Sequence, residues 1–230
     1  MLLKRCPVCP PQSENSGANM KLTIALAGNP NCGKTTMFNN LTGAHQHVGN
    51  WPGVTVERKS GIVNFDVKGC QKGEVEVIDL PGTYSLSPFS RDEVVAADYL
   101  VDGNPDCILN IVDGTNLNRN LYLTTQLVEL GIPVVIAINM IDVVKKRGDS
   151  INIPKLSAKL GVPVVEVSAI SGEGLRKAIE ECRDAVEHKL LPAKQRIFSD
   201  SVENALANIE KTLPQNIDHI RFLAVKVFER

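Results

Sequence analysis

The chain has 230 residues, with 25 basic side chains against 26 acidic ones and a net charge of −1. Hydrophobic residues make up 43%, which supports one packed core with a small appendage and argues against general disorder. The balanced charge gives no electrostatic footprint for nucleic acid, and no stretch reaches the ~18–20 apolar residues that cross a bilayer, so a soluble chain without a nucleic-acid partner is expected.

Residues 1–19 are rich in Pro, Ser, Asn and Gly without periodicity, and read as a flexible extension. Cys6 and Cys9 are half of a zinc knuckle at most, because a structural site needs four ligands; a plain tail is the simpler reading. The other cysteines, at 32, 70, 107 and 182, are scattered, as in a reducing cytosol. Residues 22–27 are a short apolar run and predict a buried strand ending at Gly28. A helix over 34–41 opens directly from the Gly-rich turn. Residues 42–56 lack any period and predict a long loop; 57–67 and 74–80 predict a strand pair. Strands at 107–112, 133–139 and 162–167 then alternate with helices at 117–130, 153–160 and 174–188. Such alternation predicts a mostly parallel sheet with helices on both faces and ligands at the carboxyl ends of its strands.

After Leu191-Pro192 two more helices are predicted, at 199–212 and 216–228. Val202, Leu206 and Ile209 share a face on the first; Ile217, Ile220, Leu223 and Val227 share one on the second. Both faces need a partner, and the natural chain is expected to continue. The division expected is an extension at 1–19, a nucleotide-binding domain at 20–190 and a partial helical domain at 193–230.

Gly28-Asn29-Pro30-Asn31-Cys32-Gly33-Lys34-Thr35 fits the phosphate-loop pattern GxxxxGK[ST], placed between a strand and a helix. Its glycines let backbone N–H groups curl around phosphate, and the helix N-terminus adds a positive dipole end. Lys34 would reach the β- and γ-phosphates, with the Thr35 hydroxyl on Mg²⁺. Asp79-Leu80-Pro81-Gly82 ends the second strand of the pair. Asp79 there can hold Mg²⁺ through water and Gly82 can offer its N–H to the γ-phosphate, although the same residues also make an ordinary turn. Asn139-Met140-Ile141-Asp142 ends a further strand. A carboxylate at Asp142 accepts from the two donors on guanine's base-pairing edge, which adenine lacks; an Asp there equally caps a following helix. Ser168-Ala169 follows the next strand, where the Ala169 N–H could meet the guanine oxygen.

Together these segments resemble four of the nucleotide-binding elements of the translation-factor-like GTPases, over residues 20–190. Met140 departs from the common Lys, but an aliphatic stem can still cover the purine. The loop from Gln46 through His47, Val48, Gly49, Asn50, Trp51, Pro52, Gly53, Val54, Thr55 and Val56 to Glu57 is more specific. With residues 79–85 (DLPGTYS) and 118–123 (NRNLYL), it resembles the ferrous iron transport protein B (FeoB) family. The resemblance implies a Ras-like P-loop GTPase domain, followed by the start of a small helical domain. In that family this part lies at the cytoplasmic face of the inner membrane and is joined to a permease for Fe²⁺. It also implies nucleotide contacts from residues 28–35 with Thr36, from Gly53 to Glu57, from Asp79 to Gly82, from Asn139 to Asp142, and from Ser168, Ala169 and Ile170. Thr55 becomes the switch threonine on Mg²⁺.

Trp51 in so polar a loop is read as poorly explained by a core role. Thr83 stands where Ras-type enzymes place a water-orienting Gln, and no arginine finger is evident. In cation-activated relatives an Asn at the position of Asn31 helps bind K⁺, which implies K⁺ held by Asn31 with the Gly49 and Trp51 carbonyls. Catalysis is then expected from Lys34, Thr55, Gly82 and Asn31, with Mg²⁺ and K⁺ as cofactors and GTP and GDP as ligands. A free-standing, cation-activated GTPase of ribosome assembly or tRNA modification is the alternative, and a non-hydrolysing nucleotide-gated module a third. His45 and His47 are not assigned to iron.

Overall fold

Strands apolar on both faces need helices on both sides, and this sets the architecture. The computed structural model describes residues 21–43, 45–67, 71–87, 90–192, 198–214 and 217–229. The predicted extension, with Cys6 and Cys9, and Cys70 lie outside the described residues.

Seven strands form one sheet: β1 (Lys21–Gly28), β2 (Gln46–Asn50), β3 (Glu57–Val67), β4 (Gln71–Asp79), β5 (Cys107–Asp113), β6 (Val134–Asn139) and β7 (Val164–Glu166). Their order is β2-β3-β4-β1-β5-β6-β7. From β4 to β7 all pairs are parallel, while β3 runs antiparallel to both β4 and β2. The helices are α1 (Lys34–Thr42), α2 (Arg91–Asp102), α3 (Leu117–Glu129), α4 (Ile141–Lys146), α5 (Ile153–Leu160), α6 (Leu175–Glu187), α7 (Asp200–Thr212) and α8 (Ile220–Phe228).

The pleat divides the core into two layers, as a period of two demands. Ala25, Ala27, Ile108, Val112, Ile136 and Ile138 face one side, with Leu100 of α2 and Leu123 and Leu127 of α3. Ile24, Leu26, Leu109, Ile111, Val135 and Ala137 face the other, against Met37 and Phe38 of α1 and Ile179 of α6. α6 buries Leu175, Ala178, Ile179, Cys182 and Ala185, the stripe of an amphipathic helix.

Three elements differ from expectation. Residues 46–50 fold as an edge strand, with Gln46 opposite Gly61 and Asn50 opposite Glu57. Most of its residues are exposed, so no alternating apolar signal marks it. α2 follows a capping box in which Glu93 N–H donates to Ser90 Oγ and Ser90 N–H donates to Glu93 Oε2. The Ser-x-x-Glu spacing at 90–93 is the signal that could have found it. α4 has six residues, too few for a period to emerge.

The trailing helices find partners within the chain. Leu206 of α7 packs with Ala224 and Val225 of α8. α8 buries Phe222, Ala224 and Val225 rather than the expected face: Ile217 and Val227 stay exposed. Phe222 joins the core layer of α3. The His219 ring lies 2.5 Å from the Leu130 carbonyl and 3.0 Å from that of Val101, at the carboxyl ends of α3 and α2. Arg221 holds Glu203 and Glu210 of α7. Among the described residues no helix is long and apolar enough to cross a membrane.

Candidate active site

β1, β4, β6 and β7 end on one edge of the sheet, and each motif begins where its strand stops. Between β1 and α1 the backbone turns through two left-handed residues, Asn31 (φ 64°) and Gly33 (φ 88°). Gly33 is the N-cap of α1 and no side chain caps the helix. Its first-turn N–H groups thus face the loop's hollow without a side-chain partner, the arrangement that takes an anion.

Lys34 and Asp79 are both buried, and Lys34 Nζ lies 2.6 Å from Asp79 Oδ1. Thr35 Oγ1 donates to Asp79 Oδ2 at 3.2 Å. The lysine ammonium therefore neutralises the carboxylate, and the threonine hydroxyl stands beside it. A hydroxyl and a carboxylate converging next to an anion cradle are hard oxygen donors few enough to leave water on the metal, and this set fits Mg²⁺. The second carboxylate-bearing segment is tied to the loop directly: Leu80 N–H donates to the Leu26 carbonyl and Thr83 N–H to that of Gly28. A Cβ on Gly82 would stand 3.1 Å from Pro30 backbone, so glycine permits this approach. Thr83 is buried; its hydroxyl donates to the Ser85 carbonyl at 2.6 Å. It is a turn residue with its oxygen engaged, not a group presented to water.

Asn139, expected to touch the base, clamps the site from behind. Its Nδ2 donates to the Cys32 carbonyl at 2.8 Å, and its Oδ1 accepts the Ala169 N–H at 2.8 Å. The Ala169 N–H expected to face the guanine oxygen is thus engaged by Asn139. Met140 is left-handed (φ 61°) and is the N-cap of α4, which has no side-chain cap. Asp142 lies in the first turn and caps nothing, which removes the capping reading. Ser168 is buried, while Ile170 is exposed. Burial pushes the Cys32 thiol up to about 11, so it stays protonated at neutral pH.

The switch residues are placed otherwise than expected. Trp51 is buried in the main core layer, 7% exposed, with its ring centroid 5.1 Å from that of Tyr99 on α2. The expectation that Trp51 is not a core residue is therefore corrected: a loop can bury an aromatic ring when a neighbouring helix supplies the apolar wall. Thr55 lines a cleft with Trp51, Arg58, Arg91 and Tyr99 whose walls include no phosphate-loop residue. Thr35 and Asp79 are brought together; Thr55 is not with them. The K⁺ set is likewise unassembled. Asn31 is exposed on the phosphate loop, Gly49 sits in β2 opposite Arg58, and the Trp51 carbonyl accepts the Val54 N–H at 3.3 Å. In this conformation the three do not fit a cation site.

Two residues of the segments already singled out, Asn29 and Arg119, make a contact at the site that no motif specifies. Asn29 is buried and donates from Nδ2 to the Arg119 carbonyl at 3.3 Å. The Arg119 guanidinium lies 4.5 Å from the Tyr84 ring centroid. No spacing rule links positions so far apart in sequence; only the fold does.

Residues 22–182 match the family model described as ferrous iron transport protein B. The Fe(2+) transport protein A/Fe(2+) transporter FeoB fusion protein of Porphyromonas gingivalis is 45% identical over 218 residues, 90% of this chain and 25% of that protein. The Fe(2+) transporter FeoB of Shigella flexneri is 44% identical, over 91% of this chain and 27% of its own length. The chain thus spans about a quarter of the curated relatives it matches. Among solved structures, a GDP-bound variant of S. thermophilus NFeoB superposes with a TM-score of 0.82 at 48% identity, covering 90% of this chain and 79% of that one. The mGMPPNP-bound NFeoB from S. thermophilus gives 0.77 at 49%, covering 90% and 76%. The cytosolic domain of L. pneumophila FeoB gives 0.78 at 39%, covering 90% and 88%.

Proposed function

The chain belongs to the ferrous iron transport protein B family as its GTPase domain, and we propose that it binds GTP and hydrolyses it to regulate a membrane permease for Fe²⁺. The observation that carries the reading is the convergence of Lys34, Thr35 and Asp79 at an uncapped helix N-terminus. Phosphate entering the loop gives Lys34 a new anionic partner and draws the ammonium from Asp79. Asp79 and Thr35 would then hold Mg²⁺, which when bound neutralises charge on the phosphate oxygens. The Thr83–Gly28 bond and the close approach of Gly82 to Pro30 keep Gly82 beside the phosphate loop, from where its N–H would meet the γ-phosphate. Asp142 selects guanine, because a base without two donors would leave its carboxylate unpaired.

The membrane permease partner is supported by the relatives' description as Fe(2+) transporters, and a place on the cytoplasmic side by the description of the L. pneumophila structure as a cytosolic domain. The family match disfavours a free-standing GTPase acting on RNA. Activation by K⁺ rests on Asn31 alone in this conformation, and on a loop rearrangement that frees the Trp51 carbonyl.

Two measurements test the reading. Asp142→Asn should lose preference for GTP over XTP in competition binding; an unchanged preference sinks the base assignment. Phosphate release should be Mg²⁺-dependent, lost in Lys34→Ala, and faster in K⁺ than in Na⁺. Equal rates in the two salts would remove K⁺ while leaving the GTPase standing. No release under any condition favours a non-hydrolysing module.

A further inference from the structure

Trp51 is an aromatic ring on a switch loop, yet it is a member of the main core. Its ring packs on Tyr99 of α2, and the Arg58 guanidinium lies 5.1 Å from its centroid. The backbone around it closes into a turn: Trp51 N–H donates to the Val56 carbonyl at 2.9 Å and Val54 N–H to the Trp51 carbonyl at 3.3 Å. Thr55 is enclosed in that turn, exposed on a cleft of about 1090 Å³ that also takes in Arg91, Val95 and Asp98 of α2. The seat is imperfect. Trp51 Nε1 and Arg58 Nε are buried without a hydrogen-bond partner, which costs the docked state free energy that a fully satisfied core ring would not lose.

We infer that Trp51 is a positioning residue, a latch whose docking on Tyr99 competes with delivery of Thr55 to the phosphate site. The inference rests on the GTPase reading above. Three residues separate Trp51 from Thr55, and the short turn around them is hydrogen-bonded through Trp51's own backbone N–H and carbonyl. Thr55 cannot leave the α2 cleft while those bonds hold. Opening the turn releases the Trp51 carbonyl at the same moment, so one movement frees both groups. The fraction of molecules with the latch open then scales the apparent affinity for triphosphate, because a ligand that needs a minor state binds weaker by that state's population. GDP, lacking the γ-phosphate that Thr55 senses, should be indifferent to the latch.

Trp51 is the chain's single tryptophan, so its emission reports the latch directly. In the 230-residue chain, adding Mg²⁺ and a non-hydrolysable GTP analogue should red-shift and weaken that emission, and Mg²⁺-GDP should leave it unchanged. Tyr99→Ala keeps the fluorophore but removes its seat. It should show the red-shifted emission without nucleotide and bind the analogue about tenfold tighter, with GDP affinity unchanged. Trp51→Ala should show the same tenfold selective gain by a fluorescent-nucleotide titration; circular dichroism reports whether it folds, and Tyr99→Ala decides the matter if it does not. Emission that ignores the analogue, while the fluorescent nucleotide shows it bound, overturns the latch and leaves the GTPase reading intact. Equal gains for GDP and the analogue also overturn it, since a general loosening of the fold would do that. Failure to bind either nucleotide overturns both readings together.

Discussion

Removing the Asn139 side chain should damage stability and nucleotide binding together, because one amide holds two loops. In Asn139→Ala the Cys32 carbonyl and the Ala169 N–H each lose a partner at 2.8 Å, at a site where Asn139 is 3% exposed and water has little access. Each orphaned buried group costs ~1–3 kcal/mol, so the pair is expected to cost about 2–6 kcal/mol. That is a large share of the ~5–15 kcal/mol that holds a typical domain folded. For a chain of this size it corresponds to a fall of roughly 4–24 °C in melting midpoint. GDP affinity should fall as well, since the phosphate loop and the Ser168–Ala169 loop are no longer fixed to each other. Asn139→Asp separates the two bonds. It keeps the acceptor for Ala169 but faces the Cys32 carbonyl with a second oxygen. It should be weaker than the parent at neutral pH and recover as acid protonates the carboxyl into a donor. Thermal melts and nucleotide titration of both variants measure this. A melting midpoint and GDP affinity unchanged in Asn139→Ala would refute the clamp.

Gly33→Ala should abolish nucleotide binding, because its Cβ would run into the Asn139 amide as well as strain a left-handed residue, whereas Gly53→Ala, with open space around it and φ 75°, has only the strain. Titration of both with GDP decides; equal losses would mean that the collision is not what makes Gly33 necessary. Burial pushes the Glu129 carboxyl up to about 7 from an ordinary value near 4.5, with Arg221 opposing the shift. Its folded-state pKa is raised, so its contribution is complete below the unfolded value and is lost as pH rises through about 7. Glu129→Gln, which stays neutral, should melt with a flatter pH dependence and gain on the parent between about pH 5 and about pH 8. A parent–variant difference in melting midpoint that is the same at both ends would sink this reasoning.

What was legible in the sequence was local. The phosphate loop is a strand, a turn and a helix within one short stretch, and the residue types at 28, 33, 34 and 35 are each required by that geometry, so their roles could be read before any fold was known. The same holds for the buried strands: residues 107–112 and 134–139 are apolar at nearly every position because helices cover both faces. β2 escaped because an exposed edge strand has no apolar face to reveal, and α2 because the Ser-x-x-Glu spacing of its capping box is a short signal that many loops also carry. The face of α8 was misread for a different reason. Ile217, Leu223 and Val227 have the right spacing, but α8 starts at Ile220 and is seated by Phe222 against α3. Spacing gives candidate faces, and the partner surface chooses among them.

The active-site residues divide along the same line. Lys34, Thr35 and Asp79 are joined by the register of β1 on β4, which pairs Leu26 with Asp79 and therefore cannot vary without disrupting the sheet. Their meeting is part of the fold itself. Thr55, Gly49 and Trp51 belong to a segment held by the edge pairing with β3, by the turn hydrogen bonds of Trp51 and by the packing of its ring against α2. Motif resemblance placed these residues at the metal because it describes the reacting state. The structure instead holds Trp51 in the core and Thr55 in the cleft. A site whose anion cradle is rigid and whose closing residues are held elsewhere by a removable contact can bind diphosphate without committing to hydrolysis, and that separation is what a regulatory GTPase requires.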